Sequence, residues 1–165
     1  MKIYLLRHAI AKERNIQKYP NDDRPLTHAG AKQMHKIARG IARICSKTDV
    51  IFCSPMKRTF ETAEILKGYV KSKAAIKISR ALLPETNITS KIKFLKRLKN
   101  KKSIFIVGHE PDLSELLAFQ CKGNTKFMEI EKGGLVLTML GKTGNLQLKE
   151  FISPKTLRML GRKTS

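Results

Sequence analysis

The chain has 165 residues, with 34 Lys and Arg against 13 Asp and Glu for a formal charge of +21, and 41% of it is hydrophobic. A chain of this length forms one domain that buries about two-thirds of its extended surface, so disulfides or a structural metal are not needed for folding. The hydrophobic share excludes wholesale disorder, and the surplus positive charge predicts attraction to polyanions such as nucleic acid, acidic membrane surfaces, or phosphorylated or acidic proteins.

Cys45, Cys53 and Cys121 are odd in number and form no CxxC pair, which argues against a secreted disulfide framework. No apolar run approaches the roughly 18 residues of a membrane span, so membrane insertion is not expected. Met1 to Leu6 open like a signal peptide, but Arg7 and His8 interrupt the apolar stretch at once. A reducing, cytoplasmic location is the expectation.

In chain order, residues 2–6 (KIYLL) are apolar at every position but the first and read as a buried central strand of a mainly parallel sheet. Residues 10–26 form a long polar loop with Pro20 and Pro25. A helix is predicted over 28–45, with Thr27 as N-cap and Met34, Ile37, Ala38, Ile41 and Cys45 on one face. Residues 49–53 (DVIFC) read as a second buried strand, followed by a helix with Ser54 as N-cap and Pro55 at its first position, ending at Gly68.

A short strand is predicted over 75–79, then a loop with Pro84 and Glu85. A basic helix follows over 88–99, with Ile92, Leu95 and Leu98 inward and Lys91, Lys93, Lys96, Arg97 and Lys99 mostly outward. Residues 103–107 (SIFIV) form another buried strand, and a helix starts at Pro111 or Asp112. Strands at 135–140 and 146–151 flank a turn at 142–145 and read as a hairpin. This order predicts a single α/β domain over residues 1–165: a three-layer α/β/α sandwich with a mostly parallel central sheet and an antiparallel edge. Residues 154–165 read as a peripheral tail or short helix.

Of the four histidines, His8 and His109 directly follow predicted buried strands, and Arg7 lies beside His8. Arg58 lies one turn inside the helix that follows a third strand end. Open parallel sheets hold their ligands outside the carboxyl ends of their strands, so these four residues are candidates for one pocket. Such a pocket suits a phosphoryl group. Arginine forks match its oxygens and stay charged. A neutral imidazole can accept it, and a second imidazole can donate to an oxygen as charge builds. The clustered carboxylates of a two-metal phosphatase are missing. His28 and His35 read as helix residues, Asp22-Asp23 as loop surface, Cys53 as sheet filling, and Gly30 as a point of close helix packing. Lys12, Glu13 and Arg14 are candidates for the site entrance.

The ordered segments Leu5-Leu6-Arg7-His8-Ala9, Arg24-Pro25-Leu26-Thr27-His28-Ala29-Gly30, Ser54-Pro55 through Arg58 to Thr62-Ala63, and Gly108-His109-Glu110-Pro111-Asp112-Leu113 resemble the motifs of the histidine phosphatase superfamily. They are most similar to its SixA-like phosphohistidine phosphatase branch. The resemblance spans roughly residues 1–150 and implies a phosphoglycerate mutase-like fold. It implies a phosphatase that needs no metal or cofactor and works through a phosphohistidine intermediate. His8 is then the phosphoryl acceptor, Arg7 and Arg58 bind phosphoryl oxygens, His109 completes the oxyanion pocket, and Arg24 adds a substrate contact. Glu85 is the nearest match to the leaving-group acid of larger relatives, on which small members do not strongly depend.

An imidazole leaves easily once protonated, whereas an alkoxide needs a good acid. A site without a secure acid, and without a large insertion after Arg58 to build a lid, therefore favours phosphohistidine on proteins. Small phosphate esters are the alternative. A basic nucleic-acid or phosphoprotein binding module with little turnover is the alternative of another class. Against nucleic acid stand the missing aromatic stacking platforms. Glu110 sits where relatives often carry Asn and is expected to hydrogen-bond His109 or raise its pKa. The Lys-rich stretch 91–102 lies outside the family signature and reads as an exposed helix face or a surface for an acidic protein.

Overall fold

The computed structural model describes residues 1–70, 75–98, 101–121, 128–141 and 145–162. Six strands, β1 (Lys2–Arg7), β2 (Val50–Cys53), β3 (Ala75–Ile78), β4 (Ser103–Gly108), β5 (Leu135–Leu140) and β6 (Leu146–Ile152), form one sheet in the order β3-β2-β4-β1-β5-β6. The first four run parallel, β5 is antiparallel to β1, and β6 is antiparallel to β5. The mixed sheet with its antiparallel edge is the architecture the sequence predicts.

The helices are α1 (His28–Ile44), α2 (Lys57–Lys67), α3 (Ile88–Lys96), α4 (Asp112–Cys121) and α5 (Pro154–Leu160). Strand side chains alternate between two apolar layers. Tyr4 and Leu6 of β1, with Phe105 and Val107 of β4, pack on Met34, Ile37 and Ile41 of α1, Leu66 of α2 and Leu157 of α5. Ile3, Leu5, Ile104 and Ile106 pack on Leu95 of α3 and on Leu113, Leu116 and Leu117 of α4. Helices thus cover both faces, which is why β1, β2 and β4 read as unbroken apolar runs instead of alternating ones.

The caps follow the local chemistry with one exception. Thr27 Oγ1 accepts a hydrogen bond from Gly30 N at 2.8 Å, as expected of the N-cap. Asn87 Oδ1 accepts from Ser90 N at 2.9 Å to start α3. The predicted start of α2 at Ser54-Pro55 is corrected to Lys57, with Met56 extended ahead of it. The cap comes from elsewhere: Asp23 Oδ1, on the long loop after β1, accepts from Lys57 N at 2.7 Å. That bond ties the loop to the helix carrying Arg58. Gly30 has the predicted packing role, since a Cβ there would lie 2.1 Å from the Ile10 carbonyl oxygen.

A second correction concerns Lys91. It does not face outward. Its side chain is 4% exposed and pairs with Asp112, the first residue of α4. The helix carrying it stops at Lys96. Of the turn predicted at 142–145, residues 142–144 lie outside the described residues, as does Lys99. Among the described residues no helix is long and apolar enough to cross a membrane.

Candidate active site

The parallel pairing of β1 with β4 places Arg7 opposite Gly108, and His8 N donates to Gly108 O at 3.0 Å. The residues after the two strands, His8 and His109, therefore emerge side by side, with ring centroids 5.3 Å apart. β2 pairs with β4 on its other side, Cys53 opposite Val107, and α2 carries Arg58 back over the same strand ends. Arg7, His8, Arg24, Arg58 and His109 all line one cavity of about 290 Å³. These five sequence-predicted residues converge.

Glu85 does not join them. It is exposed and lines a neighbouring hollow of about 570 Å³ with Arg14 and Met56, which meets the first cavity at Asp22 and Pro84. The remaining expected entrance residues, Lys12 and Glu13, line neither hollow. A larger hollow of about 620 Å³ lies at the opposite ends of the strands, around Lys2, Cys45 and Ser103, and contains no histidine.

The His8 ring is oriented by its own backbone. Nδ1 lies 2.7 Å from Ala9 O. A carbonyl only accepts, so Nδ1 carries the proton and Nε2 keeps its lone pair. Ala9 is fixed in turn, because its N–H donates to Thr62 Oγ1 at 3.1 Å and Thr62 Oγ1 donates to Arg58 O at 2.6 Å. Burial pushes the His8 pKa down to about 4, and the charges of Arg58, Arg7 and Lys132 add to that against the Ala9 hydrogen bond. The His109 pKa is also held below its ordinary value, by burial and then by Arg58 and His8, and among the described residues neither of its ring nitrogens has a hydrogen-bond partner. The expected bond from Glu110 to His109 is therefore not made, and the His109 pKa moves opposite to the expected direction, because burial and then the Arg58 charge hold it down.

This neutral pair gives stability a pH dependence. Between about pH 4 and 6.5 an unfolded chain protonates the residue-8 imidazole and the folded one does not. Stability is complete above pH 6.5 and declines as pH falls to 4, by on the order of 3 kcal/mol from His8 alone. We expect the melting temperature of His8→Ala to fall less than that of the parent between pH 7 and pH 4.5. Parallel declines in the two proteins contradict this.

The arginines are held by specific acceptors. Arg7 Nη1 donates to Ile130 O at 2.7 Å and to the exposed Glu129 Oε1 at 3.1 Å. Arg58, only 4% exposed, donates from Nη1 to Asp22 O at 2.7 Å and from Nη2 to Asp22 Oδ2 at 3.1 Å. Arg24 Nε donates to Asp22 Oδ1 at 2.6 Å. Burial works to raise the Asp22 pKa, but the Arg24 hydrogen bond and the Arg58 charge outweigh it and hold the carboxyl below its ordinary range.

Asp22 and Lys132 also line the cavity, and sequence reading missed both. A signal for Asp22 was its place two residues before Arg24. For Lys132 it was the glycine pair that follows, where Gly133 takes φ +79 and its N–H donates to Arg7 O at 3.1 Å. Glu110 is a further cavity residue, and burial raises its carboxyl pKa above the ordinary range.

Residues 3–84 match the sequence model of the histidine phosphatase superfamily, branch 1. An uncharacterized protein of Picosynechococcus sp. is 29% identical over 142 residues, covering 82% of this chain and 83% of that protein. Among solved structures, the protein histidine phosphatase SixA complexed with tungstate superposes with a TM-score of 0.84 at 22% identity, covering 95% of this chain and 99% of that one. A phosphoserine phosphatase of Entamoeba histolytica in complex with 3-phosphoglyceric acid gives a TM-score of 0.69 at 17% identity, over 94% and 98% of the two chains. The family match and the fold define the class: a phosphatase of the phosphoglycerate mutase-like type. The chain belongs to the histidine phosphatase superfamily.

Proposed function

We propose that this phosphatase works through phosphorylated His8 and that its substrates are phosphohistidine side chains carried by proteins. The observation that carries the reading is the His8 ring. Its Nδ1–H is engaged by Ala9 O, and it shares one cavity with Arg7, Arg58 and His109.

In the first half-reaction the Nε2 lone pair forms a bond to phosphorus while the bond from phosphorus to the substrate imidazole breaks. The electron pair of that bond returns to the substrate ring, which leaves neutral because its other nitrogen is already protonated. Arg7 and Arg58 hold two phosphoryl oxygens, His109 faces the third, and Arg24 contacts the substrate at the rim. In the second half-reaction water adds to phosphorus and the bond to His8 breaks. Orthophosphate leaves, and the ring returns to its Nδ1–H form.

The position of Glu85 outside the cavity supports an imidazole leaving group, which does not need a strong acid. The fold shared with SixA, a protein histidine phosphatase, supports the same choice. We expect kcat/KM for a phosphohistidine protein to exceed that for a sugar phosphate by roughly a hundredfold, the lower range of what a general acid contributes. A preference for the sugar phosphate defeats this reading.

One observation favours hydrolysis of small phosphate esters instead. The Glu110 carboxyl lies in the cavity with a raised pKa, and among the described residues its buried Oε1 has no partner, which suits it to protonate an alkoxide. On that reading Glu110→Gln selectively loses ester hydrolysis. On the phosphohistidine reading it lowers neither activity by more than a few-fold.

A further inference from the structure

Four cations, Arg7, Arg24, Arg58 and Lys132, line the cavity, and the carboxylates facing them are Asp22 and Glu110. Asp22 is unlike an ordinary second-layer acid. It lines the cavity itself, and its carboxylate lies directly on Arg58 Nη2, the fork that a phosphoryl oxygen requires. The contrast is Arg7, whose carboxylate partner Glu129 is 77% exposed and does not line the cavity.

Among the described residues, Arg58 Nε and both nitrogens of His109 are buried without partners. The anion-binding groups are thus partly satisfied, and the one anion on Arg58 is supplied by the chain. The backbone brings it there by a turn: Asp22 takes φ +53, and its own carbonyl accepts from Arg58 Nη1 at 2.7 Å.

We propose that Asp22 is an internal counter-anion that a phosphoryl group displaces from Arg58, so that it sets how tightly the site holds phosphate. The inference rests on reading the cavity as the phosphoryl site. Its physical basis is competition. A bound phosphoryl group adds negative charge beside an ionised carboxylate and takes over hydrogen bonds that the carboxylate was accepting. Binding is weakened by what Asp22 loses, and release of orthophosphate is favoured by what it regains. Without Asp22 the cations would face the product with a single nearby carboxylate, and turnover would be limited by product leaving. Asp22 therefore tunes affinity and is not expected to touch the reacting bond.

The test is calorimetric titration of the full-length protein with orthophosphate at pH 7.5. Asp22→Asn and Asp22→Gly both suit a positive φ, since Asn and Gly adopt it most readily, so both preserve the turn. We expect each to bind orthophosphate about tenfold more tightly than the parent, the low end for a lost charge-assisted hydrogen bond. Product inhibition should strengthen by the same factor. Unchanged or weaker binding in either variant overturns the proposal and makes Asp22 a clamp that merely positions Arg58. Arg58→Gln separates this from failure of the underlying reading. If that variant binds orthophosphate as well as the parent does, phosphate is held elsewhere, and it is the assignment of the cavity that fails.

Discussion

On the proposed function, His8→Ala is expected to abolish turnover, by a factor of roughly 10⁴ or more, because the phosphoryl group loses its acceptor, Nε2 of His8. His109, the nearest imidazole, emerges from the neighbouring strand and has, among the described residues, no backbone acceptor to fix its tautomer. A phosphoryl group moved from substrate to the parent protein gives an acid-labile, base-stable label, and the alanine variant should carry none. The substitution spares the sheet: the His8 side chain lines a cavity, and the sheet hydrogen bond of residue 8 comes from its main chain. Equal labelling of the two proteins, or equal hydrolysis, would remove His8 from the mechanism.

The second large effect is on stability. Lys91 and Asp112 form an ion pair whose side chains are 4% and 9% exposed. Burial raises the Asp112 pKa, and Lys91 opposes that. Lys91 Nζ donates to Asp112 Oδ1, and among the described residues Asp112 Oδ2 has no hydrogen-bond partner. Lys91→Met then leaves an uncompensated acid at the start of α4, and about 3–5 kcal/mol is the expected cost. Removing both charges in Lys91→Met/Asp112→Leu should recover most of that loss, because a buried pair is often no more stable than an apolar one of similar size. Urea denaturation midpoints of the three proteins decide it. A double variant as unstable as the single one would show that the pair does more than neutralise itself.

Much of the fold was legible because its signals are local. β1, β2 and β4 are apolar on both faces, α1 has a threonine cap and a regular stripe, and histidines stand directly after two strands. The candidate site cluster follows from the general placement of sites at strand ends, and the motifs sharpen it. What escaped depends on partners distant in sequence. Lys91 sits among lysines that do face water, and only its match with Asp112 across two helices brings it inside. Asp22 reads as a polar loop residue until the loop folds over Arg58. The start of α2 was misplaced because its cap, Asp23, lies 34 residues upstream of Lys57. Glu110 follows His109 in sequence, yet adjacency along the chain does not produce the expected hydrogen bond.

The pairing of β1 with β4 also bears on how the protein is made. On the proposed function, the His8 ring is synthesised well ahead of the imidazole that stands beside it, His109. A nascent chain thus holds the phosphoryl acceptor before it holds the neighbouring wall of the cavity. On that reading the site is complete only once β4 lies between β1 and β2, and a fragment ending short of that strand is expected to be chemically silent.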